Sequence, residues 1–86
     1  MIMNMTTLID ILGWIGAAAL LVAYALVSAK RVEGDSTGYQ LLNAVGSIFL
    51  MINTLHYGAY PSALLNLFWL GVAFYAVRKT IVRYLT

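Results

Sequence analysis

Leu55-His56-Tyr57-Gly58-Ala59-Tyr60-Pro61-Ser62-Ala63-Leu64-Leu65-Asn66-Leu67-Phe68-Trp69 reads as a helix end, a tight turn and the start of a second, apolar helix. Gly58 suits a helix end because it tolerates positive φ. Pro61 suits a helix start, where its missing N–H is not needed. Two helices therefore meet here with almost no linker. The second carries Asn66, an amide within an apolar run, and Trp69 follows about one turn later on the same face.

Working outward, the whole chain has the same character. Its 86 residues are 63% hydrophobic and 9% charged, whereas a soluble domain carries about 25% charged residues. Lipid is the expected surrounding. With no cysteine, disulfides and thiolate metal sites are excluded. A net charge of +2 is too small to point to nucleic acid. Met1 to Thr7 contains no Lys or Arg, so the basic start of a signal peptide is missing and the first apolar run reads as a retained membrane helix.

Three spans are expected. Helix 1 covers about 8–29, a loop 30–38, helix 2 about 39–57, a turn 58–60, helix 3 about 61–79, and a basic tail 80–86 that lies along the membrane surface. At about 1.5 Å per residue these helices match a hydrocarbon core of about 30 Å, with the third at the short end if it stops near Val77. Lys30, Arg31, Arg78, Lys79 and Arg83, all of the basic residues, fall on one side. The positive-inside rule places that side in the cytoplasm and the N-terminus outside. The localisation expected is the cell's inner (plasma) membrane.

Small and polar side chains form stripes on each span. In helix 1, Gly13, Ala17, Leu20, Tyr24 and Ser28 share a face that is expected to meet protein, because small residues let backbones approach in lipid and a Tyr hydroxyl away from water needs a partner. In helix 2, Asn43, Gly46, Leu50, Asn53 and Tyr57 form one face with Ser47 beside it, and Val45, Ile48, Phe49 and Ile52 form the lipid side. In helix 3 the stripe is Ser62, Asn66, Trp69, Ala73 and Ala76. Gly13, Ala17, Gly46 and Ala73 are expected at helix contacts. Asn53 and Asn66 flank the turn at nearly equal depth, so they either bond each other or face a common cleft. Asp10 reads as a helix N-terminal carboxylate or as an ion-binding acid. Asp35 or Ser36 is expected to cap helix 2. His56 has no second His, Cys or nearby acid, so no metal is expected there; it reads as part of an interfacial aromatic belt with Tyr57 and Tyr60.

No catalytic constellation is present, and Gly13-Trp14-Ile15-Gly16 is too short for a dinucleotide fingerprint. The chain is not expected to be an enzyme or to hold a cofactor. Three spans cannot enclose a solute path alone, so a pathway needs a second copy.

The Gly58-x-x-Pro61-x-x-x-x-Asn66 run, three short spans and a basic loop after the first resemble SemiSWEET proteins, the half-transporters of the PQ-loop superfamily. Gly13-Trp14-Ile15-Gly16-Ala17, Ala23-Tyr24, Tyr39-Gln40-Leu41-Leu42-Asn43 and Pro61-Ser62-x-x-x-Asn66 are similar to short bacterial membrane proteins with a SemiSWEET-like domain. The resemblance covers about residues 12–79. It implies a parallel homodimer whose third helix packs between the first and second, and a substrate-contacting Asn at Asn66. The chain departs from the family pattern in lacking the Pro-Gln dipeptide of the first helix and a Trp in the second. The expected architecture is an all-α, SemiSWEET-like three-transmembrane-helix bundle. The expected function is carriage of a small solute by a homodimer in the lipid bilayer, with Asn66, Asn53, Trp69 and Tyr24 lining the cavity. The alternative is a non-transporting membrane scaffold or regulatory partner.

Overall fold

The computed structural model describes residues 4–85. It has three helices in antiparallel succession, α1 (Met5–Ser28), α2 (Thr37–His56) and α3 (Tyr60–Leu85). Each begins and ends where local chemistry dictates. The Asn4 side chain accepts from the Thr7 N–H at 2.8 Å and caps α1, and Ser36 does the same for α2 through Tyr39 at 3.3 Å. Both α1 and α2 close with the paired bonds of a Schellman motif. After α1 these run from Lys30 N to Val27 O and from Arg31 N to Leu26 O; after α2, from Gly58 N to Leu55 O and from Ala59 N to Thr54 O. The left-handed residue is Gly58 (φ 69°) in one motif and Lys30 (φ 59°) in the other.

The ends differ from those read in the sequence. α1 starts three residues before Leu8 because Asn4 supplies a cap. The loop shrinks to 29–36 and the turn shifts by one residue to 57–59. The expected surface tail does not separate: α3 runs without a break to Leu85, as nothing after Val77 is a Gly or Pro. Thr86, the last residue of that tail, and Met1 to Met3 lie outside the described residues.

The main correction concerns order. The third helix does not lie between the first and second. α2 packs against both α1 and α3, and among the described residues no Cα of α1 comes within 8 Å of one in α3. Short links favour this, since consecutive helices joined by a few residues pack as antiparallel neighbours. It also encloses the helix richest in amides. α1 and α3 are long and apolar enough to cross a membrane; α2, 20 residues long, is less apolar because Gln40, Asn43 and Asn53 interrupt it.

The α1–α2 contact is close. Gly16 and Gly46 face each other, and a Cβ at Gly16 would sit 2.8 Å from the Gly46 carbonyl oxygen. A Cβ at Gly46 would meet Leu20 at 3.0 Å and the Gly16 carbonyl oxygen at 3.1 Å. Gly13 lies under Asn53 in the same seam. Ala73, with Ala63 and Leu70, is buried on α3, and that face looks at α2, the one helix that contacts α3 among the described residues. Ala17 is half-buried at the edge of the seam.

Two stripes are turned from their expected positions. On α1 the buried residues are Ile9, Gly16 and Ala23, so Tyr24 is not packed into protein but 69% exposed. On α3 Leu70, not Trp69, takes the buried position; Trp69 stays 49% exposed. On α2, Val45 and Ile52 are exposed as expected, while Ile48 and Phe49 are half-buried and the Phe49 Cβ lies against Gly16.

Gly16→Ala and Gly46→Leu are expected to lower stability by about 1–3 kcal/mol through overpacking. Gly71→Ala is the control, since its Cβ meets nothing within 4 Å; it should leave stability unchanged or slightly raised. Thermal unfolding of detergent-solubilised protein measures all three.

Candidate functional site

Because α1 and α3 do not meet, the space between them over α2 stays open. Towards the 29–36 loop it forms a groove of about 260 Å³. Leu20 and Tyr24 come from α1, Tyr39, Gln40 and Asn43 from α2, and Trp69 and Val72 from α3. One helix repeat brings Tyr39 and Asn43 to the same face, and Asn43 Nδ2 donates to the Tyr39 carbonyl at 3.0 Å. That bond leaves the Asn43 Oδ1 as an acceptor. The Tyr24 and Tyr39 hydroxyls and the Trp69 indole N–H make no hydrogen bond among the described residues. Phe68 stands edge-on to Trp69, ring centroids 5.6 Å apart. The groove thus offers aromatic surfaces, several donors and an amide acceptor, with no charged side chain on its wall. That chemistry suits a neutral, hydroxyl-rich solute, whose ring can stack while its hydroxyls bond.

Of the four site residues expected from sequence, the groove brings together two, Tyr24 and Trp69. Asn53 lies on the other flank of the molecule and donates to the Ile9 carbonyl at 3.0 Å, tying α2 to α1. Asn66 is 8% exposed on the α2-facing side of α3 and makes no hydrogen bond among the described residues. The direct bond between Asn53 and Asn66 is not formed among the described residues, because α2 presents Asn53 to α1 while Asn66 meets α2 from α3. Ser47, next to Gly46 and wholly buried, also has a hydroxyl without a partner.

A second hollow of about 320 Å³ opens on the flank of α1 and α2, bordered by Asp10, Trp14, Asn53 and Tyr57. Two of its polar side chains tie α2 to α1. The Tyr57 hydroxyl donates to Asp10 Oδ1, and Asn53 is held by Ile9. Asp10 is therefore a tie between α1 and the turn; the helix-start role falls to Asn4. His56 stands edge-on to Tyr57 at 5.0 Å, and no group of three metal-ligating side chains occurs among the described residues.

Asn43 and Tyr39 are the groove residues that sequence reasoning left off the site. Asn43 was visible on its stripe, but Tyr39 read only as a helix start. The signal was their spacing of four, which puts both on one face.

The fold and groove define a small all-α protein of three helices, two of them long and apolar enough to span a membrane. A protein-family model matches residues 9–84, and the chain belongs to that family. No curated protein and no solved structure matches it.

Removing the Asn53 amide (Asn53→Ala) should cost about 0.6 kcal/mol, the average for side-chain bonds between membrane helices. Asn66→Ala breaks no bond. As the two share no partner, the double variant should be additive to within about 0.5 kcal/mol. A larger deviation in a thermal-denaturation cycle would show the amides are coupled.

Proposed function

We propose that the chain is an integral membrane protein with three spans, its N-terminus outside and its 29–36 loop and C-terminus in the cytoplasm, that carries a small neutral solute as a homodimer. α2 spans despite its amides because α1 and α3 flank it. The grouping of all five basic residues at the loop and the end of α3 supports the orientation. The resemblance to SemiSWEET half-transporters supports the dimer, since one groove open on its outer side needs a second copy to enclose a path.

The observation that carries the reading is the uncharged groove in which Tyr24, Tyr39 and Trp69 keep unused donors beside the Asn43 amide. Tyr24 and Trp69 are the solute-contacting residues. Asn53 holds α1 on α2, and Asn66 is buried on the face of α3 that meets α2.

A Cys at Lys30 should react with a membrane-impermeant thiol reagent only after the membrane is opened, and a Cys at Tyr60 without opening. The reverse pattern rejects the orientation. In proteoliposomes given a panel of radiolabelled mono- and disaccharides, Trp69→Ala and Asn43→Ala should each reduce uptake at least tenfold. Tyr57→Phe, in the other hollow, should leave it within twofold. If wild-type protein takes up none of the panel, a non-transporting scaffold is the better account; uptake that survives both groove variants rejects the groove as the solute path.

A further inference from the structure

A third hollow, of about 200 Å³, lies where the 29–36 loop meets the last turns of α3. Gly34, Asp35 and Gln40 form one wall, and Tyr75, Lys79 and Arg83 the other. The solute groove and the packing of the helices use neither cation. Gln40 is buried, and its Nε2 donates to the Gly34 carbonyl at 2.7 Å, which fixes the loop wall. Lys79 and Arg83 are one helical turn apart on one side of α3. Neither forms an ion pair among the described residues, although Asp35 borders the same hollow.

We propose that this hollow holds the phosphodiester headgroup of an anionic glycerophospholipid, gripped by Lys79 and Arg83. The inference rests on the membrane reading above but not on transport. Three observations favour a lipid over a free anion. First, α3 has 26 residues, about 39 Å at 1.5 Å each, and overshoots a hydrocarbon core of about 30 Å; its last turns, with both cations, stand at headgroup depth. Second, Tyr75 and Val72, one and two turns deeper than Lys79 on the same side of α3, are exposed and offer an apolar flank for acyl chains at hydrocarbon depth. Third, the charges match. Two cations and the Asp35 carboxylate leave one net positive charge, which a single phosphodiester neutralises. The Asp35 carboxylate then accepts from a headgroup hydroxyl, as the glycerol of phosphatidylglycerol supplies. A polyphosphate would be repelled by the same carboxylate.

Native mass spectrometry of the detergent-released chain, titrated with dioleoyl-phosphatidylglycerol or dioleoyl-phosphatidylethanolamine, tests this. The wild type should retain phosphatidylglycerol at least fivefold more strongly. Lys79→Gln with Arg83→Gln should abolish that preference, while Lys79→Arg with Arg83→Lys keeps it. Lys30→Gln with Arg31→Gln removes the same charge from the same face outside the hollow and should also keep it. Circular dichroism confirms that each variant folds. Equal retention of both lipids by the wild type overturns the proposal. So does an equal loss in the two glutamine pairs, which would show a general basic surface, or displacement by millimolar inorganic phosphate, which would show a free-anion site. Alkaline carbonate washing of membranes reports separately on membrane integration, so failure of the membrane reading and failure of the lipid site are distinguishable.

Discussion

The structure depends on how closely α1 can lie on α2. At Gly16 and Gly46 there is no side chain between the two backbones, and each glycine's missing Cβ would touch the other's carbonyl oxygen. Such an approach maximises dispersion contacts, which hold helices together where no hydrophobic driving force acts between them. With α1 set against one side of α2, and α3 forced to the other side by the three-residue turn, α1 and α3 are kept apart. The groove is the space they leave.

The middle position of α2 explains its composition. A helix facing lipid all round would carry few amides, as each exposed one costs free energy in hydrocarbon. α2 has neighbours on two sides, so Asn53 can bond the Ile9 carbonyl and Gln40 can bond Gly34. Asn43, at the edge of both interfaces, bonds its own helix through Nδ2 and turns the rest of its amide to the groove. The two outer helices carry the large apolar side chains. Trp14, Leu21, Leu64, Phe68 and Phe74 all point outward, which is the pattern of a surface solvated by lipid.

Polar ties occur at both ends, Gln40 to Gly34 being the one at the loop. Near the turn, the Tyr57 hydroxyl donates to Asp10 and Asn53 donates to the Ile9 carbonyl. Near the loop, Tyr24, Tyr39 and Trp69 in the groove, and Lys79 and Arg83 in the hollow behind it, lack partners.

The sequence by itself determined the helices and their links. Gly58 and Pro61 act through their own backbone geometry, Ser36 caps through its own hydroxyl, and small residues such as Gly13 and Gly46 mark helix contacts by their size. These are local properties, legible without knowing what lies opposite. The tertiary structure alone decided which helix is central and how far each outer helix is rotated. On α1 the stripes through Ala17 and Tyr24 and through Gly16 and Ala23 are both rich in small residues but differ by about 100°, one residue's turn of the helix. Either can pack. The choice falls to Gly16 because only a glycine lets the α2 backbone approach at Gly46. That rotation turns Tyr24 into the open groove. On α3, Leu70 takes the buried site that the sequence pattern had offered to Trp69. Asn53 and Asn66, equally deep and near the same turn, end on different interfaces because α2 stands between α1 and α3, a fact of three-dimensional order that no spacing along the chain records.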